Sequence, residues 1–129
     1  MPLKPERGIV YFEATTFNKH QNMSRSIVFN LTIKMSGDDS AKWIQLMTKQ
    51  VLPSCTDGKV ILSSDIKRIM TAQEDGDHSF AVQFVYASQE LFIQQKLPTM
   101  RRVLEAMDEQ FRGRYVYFAT MMELIHQQK

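Results

Sequence analysis

Four stretches in which apolar residues recur at every second position, separated by two in which they recur at helical spacing, constrain this chain more than any other feature. The first is Ser26 to Lys34, where Ile27, Phe29, Leu31 and Ile33 alternate with Val28, Asn30, Thr32 and Lys34. After Ser36, Gly37, Asp38 and Asp39, the segment Ser40 to Val51 carries Trp43, Ile44, Met47 and Val51 at helical spacing, with Asp39 or Ser40 placed to cap it. Pro53 ends or bends that helix, and the turn signal Asp57-Gly58 leads into a second strand, Val60 to Met70, with Leu62, Ile66 and Met70 at even spacing. Gln73 to Asp77 reads as a hairpin loop into the strongest strand, Ser79 to Ala87.

Ser88 caps a helical region running to Phe111, with Leu91, Phe92, Val103, Leu104, Met107 and Phe111 on its apolar stripe. Proline in a helix removes a backbone bond and crowds the preceding turn, so Pro98 predicts a kink or two helical pieces meeting near Lys96 to Pro98. Arg112-Gly113-Arg114 closes the helix, and Tyr115 to Ile125 is the last strand. The order β-α-β-β-α-β predicts an α+β fold, a ferredoxin-like sandwich of four antiparallel strands with two helices on one face. It spans 26–125 as one domain, with 126–129 as a tail. Residues 1–25 form an N-terminal extension in which Gly8 to Thr16 reads as an extra edge strand and Asn18 to Met23 as a linker. The alternative is a mobile leader ahead of a natural start at Met23.

The last two strands are apolar on both sides. Phe80, Val82, Phe84 and Tyr86 face one way and Ala81 and Val85 the other; Val116, Phe118, Met122 and Leu124 oppose Tyr115, Tyr117, Ala119, Met121 and Ile125. Two helices cover one face only, so either the N-terminal segment or another subunit must cover the second. Hiding roughly 600 to 800 Å² per subunit makes an interface of ordinary size. A two-fold homodimer with its open sheet faces packed together is expected.

Composition narrows the function classes. With 129 residues, 43% hydrophobic and 23% charged, 5 Gly, 4 Pro and 1 Cys, the chain is neither disordered nor a disulfide scaffold. A net charge of +2 is too small an electrostatic footprint for a polyanion. No apolar run is long enough for a membrane helix and no export signal is legible, so no membrane partner and a cytoplasmic location are expected. The single Cys55 fits that compartment.

Phe29-Asn30-Leu31-Thr32-Ile33, Asp57-Gly58-Lys59-Val60, Phe80-Ala81-Val82-Gln83-Phe84 and Phe118-Ala119-Thr120-Met121-Met122-Glu123-Leu124 resemble the strand signatures of a family of short bacterial proteins known only as a domain of unknown function. The resemblance covers residues 26 to 125 and implies the dimeric α/β-barrel group, ferredoxin-like subunits that pair sheet to sheet. It supplies no catalytic signature, and the first 25 residues depart from it.

The function expected is that of a homodimeric interaction or small-ligand-binding protein, with the ligand unidentified. An alternative is a cofactor-free enzyme, monooxygenase-like or isomerase-like, as the barrel group includes. Weak candidates for ligand contact are the polar or aromatic groups on apolar elements: Asn30, Trp43, Gln83, Tyr86 and Thr120. Each is more simply a sheet or core residue. A pocket function needs converging polar groups in an enclosed space between sheet and helices, and filling of that space by Trp43, Met47, Val103 and Met107 would remove it. RNA binding is a third reading, because the topology is shared with RNA-recognition motifs, but only Phe80 keeps an aromatic of the longer motif and Ile27 replaces that of the shorter. No nucleic-acid partner is expected. Three scattered histidines and Cys55 lack zinc-ligand spacing, and no cofactor signature is present. Met47, Met100, Met107, Met121 and Met122 read as gap fillers.

Overall fold

The computed structural model describes residues 26–70 and 75–129. Strand β1 (Ile27–Ser36) is followed by helix α1 (Gly37–Leu46), a π-helical turn (Met47–Val51) and a short α2 (Leu52–Cys55). Then come β2 (Ile61–Ile69), β3 (Asp77–Tyr86), the long α3 (Gln89–Phe111) and β4 (Tyr115–Glu123). The strands form one antiparallel sheet in the order β2-β3-β1-β4, the ferredoxin-like arrangement that the sequence pattern predicts. Gly8 to Thr16, Asn18 to Met23 and the first part of the 73–77 loop lie outside the described residues.

Period-two alternation sets the register. In β1, Ile27, Phe29, Leu31, Ile33 and Met35 are buried towards the helices, and they sit opposite Tyr86, Phe84, Val82, Phe80 and His78 of β3. Trp43, Leu46, Met47, Val51 and Cys55 from the first helical segment, and Phe92, Val103, Met107 and Phe111 from α3, close the other side of this core. Full burial of each large apolar side chain contributes about 1.5–3 kcal/mol against the chain entropy it costs to order. A one-residue slip of β1 would replace this set with Val28, Asn30, Thr32 and Lys34, which is why the register is well specified.

Four local expectations need correction. The first helix begins earlier than Ser40, because the Ser36 side chain accepts a bond from the Asp38 N–H and so caps Gly37–Leu46 in place of Asp39 or Ser40. Pro53 does not end the helix. It lacks an N–H and its ring would crowd the carbonyl four residues back, and the wider π turn, closed by Leu52 N–H on the Met47 carbonyl, carries the chain past it to Cys55. Of the two outcomes expected at Pro98, a split into two pieces does not occur: Pro98 lies on the exposed side and the helix runs on to Phe111. In β2 a bulge between Ile61 and Ser63 changes the alternation, so Ile61 enters the core, Ile66 is half-buried, and Leu62 and Met70 stay exposed.

Two close-fitting corners hold the helices to the sheet. Gly113 adopts φ 75° after α3, the left-handed conformation that glycine adopts without strain, and Arg114 N–H bonds back to the Phe111 carbonyl at 2.8 Å. At the start of α1 the backbone of Gly37 lies against the β2–β3 loop, its N–H on the Gly76 carbonyl at 2.8 Å. A β-carbon there would meet that carbonyl and His78 Nε2, both at 3.0 Å.

Candidate functional site

The pairing registers sort the five sequence candidates onto two faces. Asn30 stands opposite Gln83 on one neighbouring strand and Thr120 on the other, so these three form one row across the sheet face away from the helices. Lys67 and Asp65 of β2 share that face, since Asp65 pairs with Gln83 and Lys67 with Ala81. The polar groups are linked in one direction. Lys67 Nζ donates to Gln83 Oε1 at 3.1 Å, Gln83 Nε2 to Asn30 Oδ1 at 3.3 Å, and Asn30 Nδ2 to Thr32 Oγ1 at 3.0 Å. Lys67 also pairs with Asp65 at 2.8 Å. Around this row the face is apolar: Val28, Ala81 and Val85 are half-buried, while Val116, Phe118 and Met122 of β4 and Leu124 just beyond it are exposed, Phe118 by 63%.

Tyr86 and Trp43 belong to the opposite side. Tyr86 is fully buried; its hydroxyl donates to Thr99 Oγ1 at 2.6 Å, and Thr99 in turn donates to the Gln95 carbonyl at 2.9 Å. Burial pushes the Tyr86 phenol above its ordinary pKa, and the Thr99 bond only partly offsets this. Its ring meets Phe92 edge-on at 5.2 Å. Trp43 is fully buried against Phe80 at 4.8 Å. Trp43, Met47, Val103 and Met107 fill the space between the helices and the sheet, all four without exposure. Among the described residues, the four side chains named for that space thus occupy it. Phe80, the ring that suggested base stacking, is buried in the same layer and offers no face to a nucleotide.

The sequence reading missed a groove at the edge of the helical layer. Helix α3 covers β1 and β3 and meets β4 at its start, where Tyr115 donates to Asp108, but it leaves the helix-side residue Met121 61% exposed, with Leu97 and Ile93 of α3 exposed by 64% and 59%. Two adjoining hollows result. One, of about 280 Å³, is lined by Phe29, Phe92, Lys96, Leu97, Met100 and Met121, with Ala119 and Thr120 at its edge. The other, of about 290 Å³, shares Phe92, Lys96 and Met121 and ends at Gln89 and Glu123. The Lys96 ammonium stands 5.6 Å over the Phe92 ring. A signal existed: Ile93 and Leu97 form an i,i+4 apolar pair outside the core stripe of the helix.

Other titratable groups serve the framework. His78 Nδ1 contacts Ser40 Oγ at 3.0 Å, while Ser40 donates to the Gly37 carbonyl, so this histidine braces the α1 corner. Cys55 is buried, and His126 lies in the exposed tail. Arg114 pairs with the buried Asp39, and burial followed by a hydrogen bond to Asp108 raises the pKa of Tyr115. Among the described residues no cluster of three or more His, Cys, Asp or Glu gathers to hold a metal ion, and no helix is long and apolar enough to cross a membrane.

Residues 26–125 match the family described as Domain of unknown function (DUF4286). The chain belongs to the DUF4286 family. The match spans the whole of the ferredoxin-like unit and leaves residues 1–25 outside it, as the strand signatures imply. A comparison with curated proteins finds no match for this DUF4286 chain. Solved structures share its fold at low identity. A dimeric ferredoxin-like protein from an uncultured marine organism aligns with a TM-score of 0.57 at 9% identity, covering 81% of this chain and 99% of that one. A conserved protein of unknown function from Bacteroides thetaiotaomicron, described as a possible oxidoreductase, gives 0.54 at 11% identity, covering 78% and 99%. An ethyl tert-butyl ether d (ethd) family protein from Bacillus halodurans gives 0.52 at 9%, covering 73% and 96%. At these identities the likeness establishes the ferredoxin-like fold of the DUF4286 unit and no reaction.

Proposed function

We propose that this DUF4286 chain is a homodimeric binding protein whose subunits pack through the sheet face opposite the helices, as two-fold partners. The observation that supports this most is the chemistry of that face: Val116 and Phe118 on one side of Thr120, and Met122 and Leu124 on the other, expose apolar side chains, Met122 beside Val28 and Val85, and Lys67, Gln83, Asn30 and Thr32 are already linked to one another. Polar groups satisfied within their own subunit enter a dry interface at low desolvation cost, whereas a face meant for water would have no reason to expose Phe118 and to set Met122 beside Val28. The second copy is the favoured cover because a sheet packed on its own two-fold mate forms a closed, self-complementary assembly. The dimeric ferredoxin-like neighbour is consistent with such pairing.

The test is solution mass by light scattering on a sizing column. The full chain is expected near twice 15.0 kDa, and Phe118→Asp near the monomer mass with its circular dichroism preserved. A monomeric full chain at tens of micromolar, or a dimer indifferent to Phe118→Asp, would overturn the proposal. The site candidates Asn30, Gln83 and Thr120 then act as interface residues, while Trp43 and Tyr86 are core residues.

A further inference from the structure

The groove between α3 and β4 lies on the helix side of the sheet, so face-to-face pairing leaves it open, and its occupant is a separate question from the assembly. Its walls are mostly apolar: Phe29, Phe92, Leu97, Met100 and Met121 line the first hollow, two aromatic rings and two flexible thioethers among them. One charge stands over them. Lys96 has no carboxylate partner among the described residues, and its ammonium is held above the Phe92 ring. Glu123, at the far end of the second hollow, is engaged in an interaction of its own. Hollows of about 280 and 290 Å³ are at the lower end of small-molecule sites and too short for a folded partner.

We propose that this groove binds a small amphiphilic carboxylate, its apolar body lying along Phe29, Phe92, Leu97 and Met121 and its acid group paired with Lys96. An apolar body recovers the hydrophobic free energy that exposed Leu97 and Met121 otherwise forgo. The acid supplies the negative charge that Lys96 lacks, and a lysine, unlike a bidentate arginine, accepts carboxylates over a range of angles as a point charge. No bond is made or broken; the site is one of capture and release. It rests on the reading of the chain as a binding protein, but not on the dimer.

The experiment is calorimetric titration of the full chain with hexanoate, octanoate and decanoate below their micellar range, and with decanol as the uncharged control. Affinity is expected to rise about fourfold per added methylene until the groove is full, with decanoate binding several-fold more tightly than decanol. Lys96→Gln is expected to abolish that preference while decanol binding stays the same. Met121→Trp, which fills the groove, is expected to weaken decanoate at least tenfold. Leu97→Glu, on the exposed side of the helix where folding does not depend on it, is expected to do the same by repelling the acid. Phe118→Asp, on the other face, leaves all these affinities unchanged even though it separates the subunits, so the two proposals fail separately. Equal binding of decanoate and decanol, or binding indifferent to both Met121→Trp and Leu97→Glu, overturns the assignment, as does the absence of any binding.

Discussion

Tyr86 separates a core role from a ligand role most cleanly, because its hydroxyl already has a partner inside the fold. The phenol donates to Thr99 Oγ1 at 2.6 Å, and Thr99 donates to the Gln95 carbonyl, so the two side chains fasten β3 to the middle of α3. In Tyr86→Phe the ring keeps its contact with Phe92, and Thr99 keeps its bond to Gln95. The loss is one net hydrogen bond, about 1 kcal/mol. Thr99→Val is worse, since it strands a buried phenol without an acceptor, and about 2 kcal/mol is expected. The double variant leaves no orphaned group, so its cost is expected to fall short of the sum by about 1 kcal/mol. Urea unfolding followed by Trp43 fluorescence reads all three directly, because the chain holds 1 Trp and it is fully buried in the core. Additive costs would refute the coupling. The pH dependence is a second readout. Burial raises the folded-state pKa of Tyr86 above 10, so the unfolded chain releases this proton first. Its contribution to stability is complete below pH 10 and is lost as pH rises from 10 through the folded value, and Tyr86→Phe is expected to lessen that alkaline loss.

Other variants probe the framework. Gly37→Ala places a methyl 3.0 Å from the Gly76 carbonyl and from His78 Nε2 and is expected to lower the urea midpoint measurably through that contact, whereas at Gly58 a β-carbon meets open space and Gly58→Ala is expected to lower it through the strained φ of +77° alone. Arg114→Ala leaves the buried Asp39 carboxylate without its ion partner and is expected to cost about 1–3 kcal/mol by the same denaturation assay. Asp57 accepts backbone N–H bonds from Lys59, Val60 and Ile61, led by Lys59, which hold its pKa below 3.8. Its contribution is present above pH 3.8 and lost as pH falls through the lowered value, so Asp57→Ala is expected to destabilise the β2 turn at neutral pH and to lessen the acid loss.

Most of the fold was legible because β1, β3 and β4 keep their period. Ile27 to Ile33 and Phe80 to Tyr86 alternate without interruption, and the register that buries them is the one that the alternation requires. Legibility failed where one residue changes the period. The bulge after Ile61 reverses the face on which Leu62 lies, and no turn residue in that stretch announces it. Pro98 costs a helix one backbone bond, yet it lies on the exposed side of α3 and the helix runs unbroken through it. Met47 and Met107 fill the core as gap fillers do, but Met121 and Met122, equally apolar, lie exposed on the two faces of an edge strand. The groove depends on where α3 stops across the sheet. That position follows from packing of Phe92, Val103 and Met107 on β1 and β3, and a one-dimensional pattern contains no trace of it.

Asn30 links these levels. Its side chain is buried to 7% exposure even in one subunit, and both ends of its amide are bonded, to Gln83 and to Thr32. Asn30→Leu removes both bonds but leaves Gln83 and Thr32 half-buried, within reach of water, so the isolated subunit is expected to change stability by about 1 kcal/mol or less. At the proposed interface the same substitution extends the existing apolar row Val85, Val28 and Met122 into the row that Asn30 shares with Gln83 and Thr120. Such a face has more area to bury and fewer directions that fix how it is buried, as buried polar groups fix register in some paired helices. The expected result on a sizing column is therefore association that persists or tightens while its uniformity falls, seen as broadened mass distributions above the dimer. A sharp dimer of unchanged mass would mean that shape alone fixes the pairing and that the row from Lys67 to Thr32 serves only the single sheet. A sharp monomer would place Asn30 itself among the groups that bind the second copy.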